Sequence, residues 1–257
     1  MKYRLVIADV DGTLIEPNAD KSTAVSERLL KAVEKCQNLG VRFSLATARS
    51  LEWVDDLIRS LKLNSYIILD NGARIYDCMT ERYIFNTHIP APKAEEIMRL
   101  LKQFPYEKFY VDKEKRRLYD PDKPPKFKDL VKIVILHISP YEAQEVFEIV
   151  SSIKDVRITK SVSGVNPVKE SIHITNYDAA KHKALKRIID LSGISMDQVL
   201  AIGDSYNDFS LLTSSGYKVA MGNAVPEIKA IADYIAPSYQ EDGVAHVLEK
   251  FILKENV

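Results

Sequence analysis

The chain is poor in cysteine. Its 257 residues include two, Cys36 and Cys78, far apart and without a CxxC spacing. That excludes a disulfide-dense scaffold and a zinc ribbon, and both thiols are expected to be buried packing residues. Net charge is lacking too: Lys plus Arg and Asp plus Glu number 36 each. Neither a basic nucleic-acid surface nor an acidic tail is therefore expected. No apolar run approaches membrane-spanning length. The opening MKYRLVIADVDG has an apolar stretch too short, and too soon interrupted by acids, for a secretory leader. A soluble, cytoplasmic protein with no nucleic-acid or membrane partner is expected. Repeats and low-complexity tracts are absent as well. What is present is an ordinary apolar fraction, 46%, enough for a sizeable core in one large domain or a core with an insert.

Leu5 to Ala8 form a continuous apolar run, which predicts a central strand of a parallel sheet, buried on both faces. TAVSERLLKAVEKCQNLG predicts a helix with Val25, Leu29, Ala32, Val33 and Cys36 on one face, Ser22 or Thr23 as its cap and Gly40 at its end. VRFSLATA is a strand, LEWVDDLIRSLKL a helix with Trp53, Leu57 and Leu61 in one stripe, and YIILDNG a third strand. This alternation predicts a doubly wound, mostly parallel α/β sheet. The pattern then changes. RIYDCMTERYIFN reads as a hairpin and PKAEEIMRLLKQF as a helix with Pro92 in its first turn. The proline cluster PDKPPKFKD is a loop. Three further strands, VKIVILHIS, VRITKSV and ESIHITN, accompany the helix YEAQEVFEIVSSI. After Asp178 the helix–strand alternation returns. The expected organisation is an α/β core from residues 1–84 and 179–257, with an α+β domain, 85–178, inserted into it.

Several apolar runs end in polar groups. Asp9 follows the first strand and Asp11 lies two residues on. Thr47 ends the second strand, Asp70 and Asn71 the third, and Asp204 ends QVLAIGD with Asp208 four residues further. Taken singly, an Asp-Gly is a turn and an Asp before a helix is an N-cap. Together they converge, because open parallel sheets bind ligands beyond the carboxyl ends of their strands. Crowded carboxylates repel one another, and a hard divalent cation relieves the conflict; Mg²⁺ takes oxygen ligands and works with carboxylates and a substrate phosphate. A carboxylate is also a competent nucleophile towards phosphorus, and an acid two residues on points to the same side of an extended chain, placed to shuttle a proton. Gly12 and Thr13 are expected to offer backbone N–H groups to a phosphate. Lys181 opens a helix, against the macrodipole; composition alone leaves it a surface residue, with Lys183 an equal competitor.

These segments resemble the haloacid dehalogenase superfamily, specifically its Cof-type phosphatases with an inserted α+β (C2-type) cap, over almost the whole chain. DVDGT (9–13), LATAR (45–49), DNGARIY, DAAKHKAL and GDSYND stand in the family's order. The resemblance implies that Asp9 is the nucleophile and Asp11 the general acid/base, and that Thr47 and Lys181 hold the transferring phosphoryl group. It implies a Mg²⁺ site made by Asp9, Asp204, Asp208 and Asp11 through its carbonyl, with Asn71 and Asn207 lining the pocket. Ala48 stands where the family usually has glycine, which requires a negative φ there. The implied activity is Mg²⁺-dependent hydrolysis of small phosphorylated metabolites, such as sugar phosphates or phosphoglycolate-like acids, through an aspartyl-phosphate. A phosphomutase on the same scaffold and a non-turnover phosphoacceptor switch are the alternatives.

Specificity is expected from the insert. Its candidates are Lys113, Lys115, Arg116 and Arg117, for which a solvated hairpin is the favoured reading, and the loop KSVSGVNPVKE. His137 and His173 are expected to be half-buried sheet residues rather than metal ligands.

Overall fold

The computed structural model describes residues 2–17, 24–113, 115–162, 166 and 168–253. In chain order the first elements are β1 (Leu5–Ala8), α1 (Glu27–Asn38), β2 (Arg42–Leu45), α2 (Asp55–Ser60), β3 (Tyr66–Leu69), β4 (Arg74–Asp77) and β5 (Arg82–Asn86). A run from 91 to 176 contributes α3 (Ala91–Leu101), β6 (Lys108–Asp112), β7 (Lys115–Leu118), β8 (Leu130–Ile138), α4 (Pro140–Ser151), β9 (Val156–Val162) and β10 (Glu170–Asn176). Then follow α5 (Lys181–Ser192), β11 (Val199–Gly203), α6 (Phe209–Thr213), β12 (Tyr217–Ala220), α7 (Pro226–Ile231), β13 (Tyr234–Ile235) and α8 (Gly243–Leu248).

All four residues of β1 are buried, as strands covered on both faces must be. The parallel sheet runs β13-β12-β11-β1-β2, so β1 sits between β11 and β2. The order reverses about β1, and its carboxyl end is the crevice where such sheets take ligands. The sheet reaches β3 through a parallel bridge from Ala46 to Ile68. β3 then pairs antiparallel with β4, and β4 with β5.

Helix boundaries depart from expectation where local backbone breaks the apolar period. The expected caps Ser22 and Thr23 lie outside the described residues. The cap is Ser26, whose Oγ accepts from the Leu29 N–H at 3.0 Å, so Val25 precedes the helix. Gly40 closes the helix at φ +78. The expected helix over 51–63 divides: Leu51–Trp53 is a 3-10 turn, Val54 leaves helical geometry at φ −133, and α2 begins after it. Trp53 therefore leaves the Leu57 and Leu61 stripe. NDFSLLTSSG divides likewise, into a 3-10 turn (Tyr206–Asp208) and α6.

The strands from 108 to 176 form a separate antiparallel sheet, β7-β6-β8-β10-β9. Strand periodicity gives it two faces. Ile133, Ile135, Ile172 and Ile174 pack with Ile97 of α3 and Val146 of α4 in an apolar cluster distinct from that of the parallel sheet. Lys132, Val134, Leu136, Ser171 and His173 turn to a cavity shared with the carboxyl end of β1. The two crossing segments touch: Asn176 Nδ2 donates to the His88 carbonyl at 2.9 Å.

Candidate active site

Asp9 follows β1 and its N–H donates to the Ile202 carbonyl at 3.0 Å, which fixes the residue at the end of two strands at once. Asp204 follows β11, and Asp208 lies in the 3-10 turn beyond it. The Asp208 Oδ2 accepts from the N–H groups of Asp204 (3.1 Å) and Ser205 (3.2 Å), so its carboxylate is folded back on the turn. Ligand oxygens of Asp9, Asp204 and Asp208 lie within 4.8 Å of one another, and all three side chains are buried. Two glycines make room for this crowding. A Cβ on Gly12, which has φ +73, would stand 2.3 Å from Asp204 Oδ2, and one on Gly203 would stand 2.6 Å from Asp208 Cβ.

Lys181, the first residue of α5, is 2% exposed. Its Nζ donates to Asp9 Oδ1 at 2.7 Å and to Asp208 Oδ1 at 2.6 Å. Lys183 instead pairs with Asp178 at the surface. One ammonium against three carboxylates leaves the centre short of positive charge. Burial, with repulsion from Asp208, pushes the Asp9 carboxyl up to about 7. Burial and the same neighbour hold Asp204 well above the usual carboxylate range. Burial opposes the Lys181 charge, but Asp208 and Asp9 outweigh it and raise its pKa. The carboxylates supply hard oxygen donors, buried, convergent and under-compensated, and a divalent cation fits that donor set.

Asp11 faces the same cavity as Asp9, but not as a bare acid. Arg49 grips it with both arms of the guanidinium, Nε to Oδ2 at 2.9 Å and Nη2 to Oδ1 at 2.6 Å. The expected phosphate donors are already used: the Gly12 N–H donates to the Ile15 carbonyl at 2.9 Å and that of Thr13 to Val10 at 3.3 Å. The turn needs these bonds to hold its own shape. The Thr13 hydroxyl donates to Asp204 Oδ1 at 3.2 Å, and Asn223 Nδ2 anchors the turn from the other side through the Gly12 carbonyl at 2.8 Å.

Thr47 is fully buried and its Oγ1 accepts from the Arg49 N–H at 3.0 Å. It stands behind the residues that line the cavity, as do Asn71, Lys181 and Asp208; Asn207 is in the lining. Asn207 Nδ2 donates to Asn71 Oδ1 at 3.2 Å, which joins the ends of two expected site segments. Ala48 is not among the residues with positive φ, so it meets the conformational condition of its position. Asp70 goes elsewhere. It accepts from Arg74 Nε at 2.7 Å and Ser50 Oγ at 2.6 Å, and pairs with Lys132 Nζ at 2.7 Å. Burial works against its charge, but Lys132 and Arg74 prevail and hold its pKa below the usual value.

The cavity has a volume of about 350 Å³ and is walled by both sheets. Residues without a role in the sequence reading complete it: Arg49, Trp53, Lys132 and Ser205. Lys132 also donates to the Ala48 carbonyl at 2.6 Å, and Ser205 Oγ accepts from the Val162 N–H at 3.2 Å. The sequence did carry a signal for Lys132, a lone charge inside the apolar strand LVKIVILHI. Arg49 and Ser205 have none beyond following Thr47 and Asp204.

The chain is 29% identical over 256 residues to 5-amino-6-(5-phospho-D-ribitylamino)uracil phosphatase YcsE of Bacillus subtilis, covering 97% of this chain and 96% of that one. It is 28% identical over 255 residues to phosphoglycolate phosphatase 1 of Saccharolobus solfataricus, covering 98% and 97%. A haloacid dehalogenase-like hydrolase from B. subtilis shares the fold, with a TM-score of 0.80, 22% identity, and coverage of 97% of this chain and 100% of that one. The family model described as haloacid dehalogenase-like hydrolase matches residues 6–248, and the chain belongs to that family.

Proposed function

We propose that the protein is a Mg²⁺-dependent phosphomonoester hydrolase of small metabolites, with Asp9 as nucleophile and an aspartyl-phosphate as intermediate. That it is a phosphatase acting on small phosphorylated compounds rests on the family and on the named relatives. The finer reading rests on one observation, the three convergent carboxylates of Asp9, Asp204 and Asp208 around Lys181 at the wall of the cavity.

Asp9, Asp204 and Asp208, with the Asp11 carbonyl, would hold the cation, which when bound supplies positive charge against the phosphate oxygens and keeps Asp9 ionised. Asp9 attacks phosphorus in line with the leaving alcohol, the P–O bond to that alcohol breaks, and Asp11 gives it a proton. Asp11 then takes a proton from water, whose attack returns phosphate and free Asp9. Lys181 neutralises charge on the transferring group, and Thr47 orients the Arg49 backbone beside it. Stabilisation of that charge carries most of the catalysis. Arg49 grips the Asp11 carboxyl with both arms of its guanidinium, and that contact must open before Asp11 can reach the leaving oxygen. Residues 85–178 act as a cap. Lys132 and the Ser205–Val162 bond draw it down over the site, excluding water and large polymers.

The test is a panel of phosphomonoesters, sugar phosphates and phosphoglycolate among them, assayed for free phosphate with Mg²⁺ and with EDTA. Turnover with Mg²⁺, lost on chelation and restored on adding the metal back, is expected. Turnover indifferent to chelation would refute the metal role. A requirement for a sugar bisphosphate activator would indicate a phosphomutase, and a stable phosphoprotein without turnover would indicate a switch.

A further inference from the structure

The cations around the cavity are not equivalent. Arg49 is held by Asp11, and Lys132 by Asp70 and the Ala48 carbonyl. Arg116 is different. It stands on the exposed strand β7 and lines the cavity, whereas its neighbours Lys115 and Arg117 do not. Its guanidinium carbon lies 5.0 Å from the ring centre of Trp53 and 5.4 Å from that of Phe109. Trp53 belongs to the segment after β2 and Phe109 to β6, so the group is sandwiched between the two halves of the molecule. Rings satisfy the flat faces of a guanidinium and leave its edge, with five N–H donors, unspent. Among the described residues the Arg116 side chain has no hydrogen bond and no ion pair; Glu52 is the nearby acid and does not reach ion-pair distance. Burial, and Arg49 in the same sense, disfavour its charge. The histidines of the cavity feel the same field: burial lowers His137 and His173 first, and Arg116 contributes to both.

We propose that Arg116 is a specificity-determining residue that receives a second oxyanion of the substrate, a carboxylate or a further phosphate carried by the leaving group. The inference rests on the phosphatase reading and narrows it to small metabolites that bear a phosphomonoester and another anionic group. A guanidinium lodged beside two aromatic rings, with no side-chain hydrogen bond of its own, has donors to offer in the planar fork that a carboxylate or phosphate accepts bidentately. The cavity volume of about 350 Å³ limits the rest of the molecule to a short skeleton.

The test compares substrates matched in skeleton. Phosphoglycolate is paired with 2-hydroxyethyl phosphate, 3-phosphoglycerate with glycerol 3-phosphate, and glycerol 1,3-bisphosphate separates a phosphate-bearing from a carboxylate-bearing leaving group. For the unmodified enzyme, kcat/KM is expected to favour an anionic member by about tenfold or more, the scale of a charge-assisted hydrogen bond. Arg116→Gln should reduce that preference by roughly 10- to 100-fold, chiefly through KM, and Arg116→Lys should restore part of it. Equal activity on both members of each pair, or an equal loss for both in Arg116→Gln, overturns the proposal while leaving the phosphatase reading intact. Phosphate release from no member of the panel would refute that reading and this proposal with it.

Discussion

Asp9 occupies a position that stability alone would not select. A buried carboxyl pushed up to about 7 by its surroundings is a cost to the metal-free fold at neutral pH. Asp9→Asn removes that cost. Without added metal at pH about 8, its melting temperature is expected to be no lower than that of the parent, while phosphate release falls below detection. A large loss of stability would mean that Asp9 serves the fold. Asp11 stands in contrast: it is half-buried and spoken for by Arg49. Asp11→Asn should slow turnover by about 100-fold or more, the contribution of a general acid/base, and let phosphoenzyme accumulate in a rapid quench. Unchanged turnover would remove it from the reaction.

At the scale of elements, one link between the antiparallel sheet and the core is a buried charge cluster. Asp70, after β3, serves Arg74 of β4 and Lys132 of β8, and all three are nearly inaccessible. Removing one member of such a cluster strands the others. Asp70→Ala should therefore destabilise by about 3–5 kcal/mol in urea unfolding, and a loss within experimental error would show the cluster to be solvated. This cluster also marks where sequence reading stopped. Apolar runs exposed β1, β3 and β11, because a strand buried on both faces writes itself as a nearly continuous run of apolar residues. The polar ends of those strands were legible as a group for the same reason. Pairing was not. Asp70 and Asp9 look alike in sequence, each an acid after an apolar strand, and only the fold sends one to Arg74 and Lys132 and the other to Lys181. The Arg49–Asp11 fork, 38 residues apart, is equally silent in the chain. Val54 broke the expected helix by a backbone torsion that periodicity does not encode.

For the molecule as a whole, the cavity between the sheets makes stability depend on pH. His173 is buried there, with Nε2 3.1 Å from Ser161 Oγ. Burial, and the positive charge of Lys132, lower its pKa from 6.5 to about 3. The folded-state value is depressed, so the stabilising difference is complete above about pH 6.5, where the ring is neutral in both states. As pH falls from there towards about 3, the unfolded chain takes up a proton that the folded chain refuses, and stability drops. His173→Gln should flatten this part of the curve relative to the parent. Parallel curves would mean that the ring is hydrated and titrates normally. The two walls of the cavity differ in origin: Val134, Leu136, Arg116 and His173 come from the antiparallel sheet, and Asp9, Asp11 and Asp204 from the ends of parallel strands.

The most direct test of the central claim uses the Asp11→Asn protein with Mg²⁺ and a substrate labelled in its phosphate, quenched in acid within the first turnover. The account expects label bound to protein, released by hydroxylamine as an acyl phosphate is, and carried by the peptide that contains Asp9. Label on another residue, or turnover in the parent protein with no acyl phosphate formed, would contradict it.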